Sequence, residues 1–420
     1  MNTTMNKEIK SKILFVCDGY YPEKNAASYC AFRLITLLRK RNISCDVINV
    51  SATYDIPFIV EEEDGRVFSI RDDYRVDYSQ TKGNPIRFFR YILFRFFGRI
   101  NKCGLKRIKN SRILSLLKKI GGNYDVIIPV VSDFNNGMAV LKYSRKRHIP
   151  YIIYQLDPIG TNETQVQYSA KLKRFEIELY KKATYILTTP LLMKEKHLLS
   201  SFDNKKIISA EFPNVIDNYS YKEPSPTRII CAFCGNLING VRNCKYVLNL
   251  FSRMNNSNVY MKFAGIGQEK TISEYANGAL NGHIEQYGKL NKEEAIAFIQ
   301  NADFLINIGN TMKNQVPSKL FDYVSTSIPI INVCSSSDCP SITYMKKYGM
   351  AINLVETEVE EEIDKQAVDL YMFINEHLGH RVSNVLDLFR ENTPQYVESQ
   401  LWKAIQDTVS GVEKNGRNTE

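Results

Sequence analysis

The chain has 420 residues, enough for two or three domains of ordinary size, each able to bury its own core. Hydrophobic residues make up 44% and charged residues 24%, which excludes a disordered chain, and no apolar run approaches the roughly 20 residues that a membrane-spanning helix needs. The net charge of +10 is concentrated, because between Asp77 and Asp125 there are 12 Lys or Arg and no acid, while the remainder is nearly neutral.

The polar start, MNTTMNKEIKSK, leads straight into a strand and shows no signal-peptide pattern. Nine cysteines without a repeated spacing fit a reducing compartment, so the expected location is the cytoplasm. Lys12–Cys17 (KILFVC) is an apolar run of the kind found in a fully buried parallel strand. The helix after it carries Phe32, Ile35, Leu37 and Leu38 and ends in Arg39-Lys40-Arg41, and Ser44–Val50 is the next strand. This βαβ opening lacks G-x-G-x-x-G. Its loop carries Asn25, Ala26, Ala27 and Ser28, small residues that either admit a ligand closely or simply make a tight connection. Residues 52–82 show no clear element.

In 84–119 the residues Arg87, Arg90, Arg95, Arg99, Lys102, Lys106 and Lys109 recur at mostly helical spacing, with Phe88, Tyr91, Ile92, Phe96, Ile100 and Ile108 between them. A cationic amphipathic helix of this kind predicts contact with an anionic membrane surface. A solvated helix over the first sheet and a nucleic-acid patch are the competing readings, and no nucleic-acid motif accompanies the charge. Strands follow at Asp125–Val131 and Tyr151–Gln155, separated by a helix through Met138–Lys146. Asp157 then falls at a strand's carboxyl end, where open α/β sheets place their sites. A helix near Val166–Lys182 and a strand at Tyr185–Thr188 lead to a linker marked by Pro213, Pro224 and Pro226.

The second half restarts the same grammar. Strands Arg228–Phe233, Val259–Ala264 and Ile284–Tyr287 run into turns at Gly235-Asn236-Leu237, Gly265-Ile266-Gly267 and Gly288. Asn291 and Glu294 form a capping-box pattern for the next helix. Strand Phe304–Ile308 reaches the turn Gly309-Asn310-Thr311, and a helix is expected with Pro317 at its first position. Lys319 and Asp322 then share a face near that helix's positive end, before a last apolar run at Ile328–Val333. An ammonium, a carboxylate and backbone N–H groups at a strand's carboxyl end suit a phosphorylated, hydroxyl-rich ligand. A plain βαβ unit with a surface ion pair is the alternative. Cys231 and Cys234 form a lone C-x-x-C within a strand, His377 and His380 an isolated pair, and no metal-ligand cluster is visible.

The succession FCGNLINGVRN, KFAGIGQE, IEQYGKLNKEEAIAFIQNADFLINIGN and VPSKLFDYVSTSIPII resembles the retaining nucleotide-sugar glycosyltransferases of family 4, from Ile229 to Val333. The resemblance implies an α/β chain of GT-B architecture, two Rossmann-like domains with parallel sheets facing across a cleft. It implies an N-terminal acceptor domain at 1–212, a linker at 213–227, a donor domain at 228–390, and a C-terminal helix and tail at 391–420 that return to the first domain. It would put the donor's diphosphate near Gly235, Asn236, Arg242, Gly265, Ser318 and Lys319, and the base at Tyr287, Gly288 and Leu290. The ribose would fall to Asp322, and the sugar or phosphates to Asn310 and Thr311. The chain departs from the family pattern in four places, one being that the basic residue after Gly235, Arg242, comes later than usual. Asn314 stands where the first of two acids is usual, Asp322 is shorter than the usual Glu, and Ser327 replaces a common glycine. The implied reaction moves a sugar from a nucleoside diphosphate to a glycan or lipid-linked acceptor, with no cofactor and no metal. Asn25–Ser28 would lie on the acceptor side, with Asp157 the candidate catalytic group. An epimerase or hydrolase of the same fold, or a non-catalytic sugar-nucleotide binder, are the alternatives.

Overall fold

The computed structural model describes residues 11–417 apart from 23, 54, 75, 101–106, 132–133, 159–169, 195–205, 219–222 and 255–256, and gives no side chains for 97–100, 107, 170–173 and 412–417. The chain divides into two compact units, Met1–Pro213 with Pro394–Glu420, and Asn214–Thr393.

In the first unit, β1 (Lys12–Asp18) is followed by α1 (Ala26–Arg39), β2 (Ser44–Ser51), β3 (Ile59–Glu62) and β4 (Gly65–Arg71). Then come α2 (Pro85–Ile100), α3 (Arg107–Ile120), β5 (Val126–Pro129), α4 (Phe134–Arg147), β6 (Ile152–Gln155), α5 (Ala170–Lys182), β7 (Tyr185–Thr188), α6 (Pro190–Met193) and β8 (Ile207–Ser209). The sheet order is β3-β4-β2-β1-β5, and bridges Ile127–Tyr151 and Val130–Tyr154 continue it into β6-β7-β8. The pairs are parallel except for the edge pair β3–β4. Residues 52–82, where the sequence shows no element, thus supply two strands. β3 alternates exposed and half-buried residues as an edge strand should, so it carries no strong apolar signal. The core joins Leu14, Val16 and Ile48 of the sheet to Ile113 and Leu117 of α3 and Val140 of α4.

The second unit runs β9 (Ile229–Cys234), α7 (Lys245–Arg253), β10 (Val259–Ala264), α8 (Glu269–Ala276), β11 (Ile284–Gln286), α9 (Lys292–Gln300) and β12 (Phe304–Ile308). It continues with α10 (Lys319–Val324), β13 (Ile330–Cys334), α11 (Ser341–Tyr348), β14 (Ala351–Val355), α12 (Glu360–His377) and α13 (Val385–Leu388). Its sheet order, β11-β10-β9-β12-β13-β14, is parallel throughout. Counted from β9, this is the doubly wound order 3-2-1-4-5-6. The strand order therefore reverses between β9 and β12, and a ligand belongs at their carboxyl ends. Strands β9, β12 and β13 are buried along their whole length, as strands covered on both faces must be. Inside that apolar sheet, Asn307, Asn332 and Asn353 lie in register, and their amides form a ladder with both N–H···O distances 2.7 Å.

α14 (Pro394–Arg417) belongs to the first unit and lies against α1, where buried Glu398 takes two hydrogen bonds from Arg41 at 2.6 and 2.9 Å.

Candidate functional site

The site is built at the carboxyl edge of the second unit's sheet. Three loops leave β9, β10 and β11 side by side and are stitched by backbone hydrogen bonds. Gly235 N–H donates to the Ala264 carbonyl at 2.8 Å, Leu237 N–H to Ile266 at 2.9 Å, and Gly265 N–H to Gly288 at 2.6 Å. This approach demands glycine. A Cβ on Gly265 (φ +128°) would stand 1.9 Å from the Gly235 carbonyl oxygen, and one on Gly267 (φ +99°) 1.9 Å from that of Leu237. Between the loops lies a cavity of about 160 Å³ whose lining includes Gly235, Gly265, Gly267, Gly288, Gln286 and Glu269. The Gly267 N–H reaches the Glu269 carboxylate at 2.6 Å and holds that acid below its usual pKa.

A tight turn, Ile238 to Arg242, brings the Arg242 side chain back over this edge. Its guanidinium donates to the Asn310 amide oxygen at 2.8 Å and to the Asn236 carbonyl at 3.2 Å. Asn310 follows β12 and Gly235 follows β9, so Arg242 spans the two strand ends at which the order reverses. Burial pulls the Arg242 pKa below the ordinary arginine value. Among the described residues it meets no carboxylate, and its Nε has no hydrogen-bond partner. A desolvated guanidinium without a counter-charge is an anion-binding group. Thr311 sits next to it, its N–H on the Val241 carbonyl at 2.9 Å and its hydroxyl on Gly240 at 3.0 Å.

A second cluster lies beside the first. The Asp322 carboxylate, 13% exposed, stands 3.8 Å from Lys319 Nζ and 3.7 Å from Lys292 Nζ. All three charges act on the Cys234 thiol at the end of β9, which places them at the same edge. Lys292 is the residue that sequence reasoning missed. It opens α9, and its signal was the capping box that begins one residue earlier, at Asn291. Buried Tyr323 fixes α10 to β9, its hydroxyl accepting from Cys234 N–H at 2.7 Å and donating to the Cys234 carbonyl at 3.1 Å.

Pro317 does not open the helix. α10 begins at Lys319, and Pro317 contributes its carbonyl to the Leu320 N–H instead. Ser318 precedes the first turn without a side-chain cap, and its carbonyl accepts from the Asn214 amide at 3.4 Å. Asn314 lies in the turn before it. Ser327 stands at φ +62°, which explains why a glycine suits this position. Tyr287 is half-exposed and turns its hydroxyl to Glu285 at 2.6 Å and Lys262 at 3.1 Å, while its ring meets Phe298. Gly288 offers its carbonyl to the Gly265 loop, and Leu290 is half-buried in the turn before α9. Cys231 and Cys234 point to opposite faces of β9, as a spacing of three in a strand dictates, and burial raises both thiols. His377 stacks on Phe373. Among the described residues no group of three His, Cys, Asp or Glu side chains is placed to hold a metal.

In the first unit, the loop after β1 closes on itself. Asn25 caps α1 through the Ser28 N–H at 2.9 Å, and buried Ser28 donates to the Gly19 carbonyl at 2.6 Å. Ala26 is exposed and Ala27 half-buried. Asp157 is half-buried just beyond β6, its carbonyl taking the Gln155 amide at 3.1 Å. Lys109, grouped in the sequence with the basic residues of a membrane-facing helix, is instead sunk to 2% exposure, with Nζ 2.6 Å from Asp18 and 3.6 Å from Asp72. Of the other basic residues, Arg87 and Arg90 pair with Asp55 and Asp73 at 2.5 and 3.0 Å. Lys102, Lys106 and the Arg99 side chain lie outside the described residues.

Solved structures align along nearly the whole chain. A lipopolysaccharide outer core galactosyltransferase, WaaB, superposes with TM-score 0.59 at 14% identity, covering 94% of this chain and 99% of its own. Anabaena HepE, solved with UDP-glucose, gives 0.58 at 10%, with 95% and 99% covered. A Listeria monocytogenes protein assigned as a UDP-N-acetylglucosamine 2-epimerase gives 0.55 at 11%, with 98% of each chain covered. The fold is GT-B. No protein-family model matches the sequence, and no curated protein matches it. On this GT-B chain the two parallel sheets described above are the Rossmann-like halves, and the Arg242 cluster marks the switch point of the second.

Proposed function

We propose that the chain is a retaining glycosyltransferase that moves a hexose-type sugar from a nucleoside diphosphate to a glycan or lipid-linked acceptor, in the building of a surface polysaccharide. The observation that carries the reading is Arg242, a half-buried guanidinium without a carboxylate partner among the described residues, held between the ends of β9 and β12. Lys319 and Lys292 bring two ammonium groups to the same edge, beside the Asp322 carboxylate. Departure of a nucleoside diphosphate builds negative charge on its phosphates, and fixed cations that already point there lower the barrier. Asp322 would take the ribose hydroxyls, and Gly235, Gly265 and Gly288 would let the diphosphate and base approach the backbone. Asp322 and Glu269 are held by two lysines and by a backbone N–H, so neither is poised as a nucleophile. Retention would then proceed on one face of the sugar, the departing phosphate taking the acceptor's proton. Asp157 is carried as the acceptor-side candidate.

A thermal-shift series with nucleoside diphosphates and their sugars tests the donor site. A ligand at about 100 times its Kd should stabilise the protein by about 2.7 kcal/mol. If no nucleotide moves the melt, the reading of the second unit fails. The anomeric configuration of the product, read by NMR, tests retention. The likeness to a protein assigned as a 2-epimerase supports a second reading of the same pocket. Incubating the donor without acceptor separates the two, because an epimerase inverts a sugar carbon with no second substrate. Binding without turnover in either assay would leave a sugar-nucleotide binder.

A further inference from the structure

Helix α2 is amphipathic in the reverse of the usual sense. At about 100° per residue, Ile86, Phe89 and Leu93 fall on one stripe, with Ile92 beside it and Phe96 continuing it. That stripe faces away from the protein, with Ile86 72%, Phe89 67% and Phe96 60% exposed. The opposite side is sunk. Phe94 is buried edge-on against Tyr74 at 5.0 Å, and Tyr91 meets Tyr78 at 5.8 Å. The three described arginines of α2 also point inward or sideways. Arg87 and Arg90 reach Asp55 and Asp73, and Arg95 lies over the Tyr91 ring.

Asp73 is the anchor beneath the helix. Its buried carboxylate takes Arg71 at 2.5 Å, Arg112 at 2.8 Å and Arg90 at 3.0 Å. Burial opposes its ionisation, but Arg112, Arg71 and Arg90 outweigh burial and hold it below the usual carboxylate range. Three guanidinium groups against one carboxylate leave a positive excess under the helix. Exposed Lys82, three residues before α2, adds to it. A solvated surface helix would show its cations and hide its rings, whereas α2 shows rings and fixes two of its three described arginines on carboxylates.

We infer that α2 is an in-plane insertion helix for an anionic bilayer, held by burial of its apolar stripe in the lipid interface. Among the described residues no helix is long and apolar enough to cross a membrane, so the element would lie on the surface rather than span. Charge complementarity points to this occupant, because the segment from 78 to 124 carries 12 Lys or Arg and no acid, and Asp55, Asp73 and Asp77 beside it offset only part of that charge. The inference stands apart from the donor chemistry.

Co-sedimentation of the full chain with vesicles of phosphatidylethanolamine and phosphatidylglycerol tests it. The expected result is binding that survives a rise from about 0.1 to about 1 M salt, where surface charge is screened. The double variant Phe89→Ser/Ile92→Ser should weaken binding by roughly tenfold or more, the effect of withdrawing large apolar side chains from lipid, while Arg95→Gln weakens it only a few-fold. Both substitutions lie on the outer surface, and an unchanged circular-dichroism melt verifies the fold. Failure of the wild-type chain to bind, binding abolished by salt, or equal binding by the double variant would each overturn the inference. A wild-type dimer that the double variant converts to monomer, with no vesicle binding, would assign the stripe to a protein interface instead.

Discussion

Each unit carries a cation at the carboxyl edge of its sheet, and the two treat it in opposite ways. In the first, Lys109 is enclosed by Asp18, at the end of β1, and Asp72, just past β4, two carboxylates for one ammonium. In the second, Arg242 spans the ends of β9 and β12 and, among the described residues, meets amide and carbonyl oxygens rather than a carboxylate. The carboxyl edge of a parallel sheet is a favourable place for a ligand in both. A cation whose charge is already matched holds the protein together, whereas one left unmatched is available to an anion. The contrast supports the proposal that the second unit is the one that takes a diphosphate.

The comparison can be broken most forcefully at Lys109. Lys109→Met leaves two buried carboxylates facing each other and should cost about 3–5 kcal/mol, read as a large fall in the first unit's melting temperature. A melt close to wild type would mean that Lys109 is not the structural member of the pair. Gly265→Ala should come next, because its Cβ would collide with the Gly235 carbonyl oxygen. Separating the two loops should cost about 1–3 kcal/mol and weaken nucleotide binding in calorimetry as well. Arg242→Gln reverses the Lys109 pattern. Its melt should stay within about 1 kcal/mol of wild type, while nucleoside-diphosphate affinity falls by about tenfold to a hundredfold, the loss of a charge-assisted hydrogen bond. Unchanged affinity would remove Arg242 from the site. The smallest effect is expected at Ser327, whose φ of +62° suits glycine. Left-handed geometry costs a non-glycine residue roughly 1–2 kcal/mol, and glycine's extra unfolded-state freedom offsets part of that. Ser327→Gly should therefore raise stability by less than about 1 kcal/mol, measured by urea denaturation, and a loss of stability would refute the strain.

Much of this was legible before any coordinates. The predominantly apolar runs at β1, β9, β12 and β13 announce buried parallel strands, because a strand covered on both faces need not alternate. The Asn291–Glu294 capping box forms as its spacing requires. Gly265 was legible as a turn, though not the carbonyl that excludes a side chain from it. The misreadings share a cause. Pro317 fits a first helical position by local rule, yet α10 starts at Lys319. Lys109 keeps helical step with its exposed basic neighbours, and nothing within a turn of it in sequence reveals Asp18, 91 positions away.

The sequence by itself determined the alternation of strands and helices, the glycine turns at the strand ends and the concentration of positive charge before Asp125. These depend on short-range sterics, hydrogen bonding and apolar period, which neighbouring residues specify. Tertiary structure alone decided the strand order that reverses between β9 and β12. It also decided which cations meet carboxylates and which do not, and that α2 turns its rings outward while two of its arginines are clamped. Those outcomes depend on pairings between residues far apart in the chain. A residue's charge is written in the sequence, but whether that charge is already satisfied depends on what the fold brings beside it.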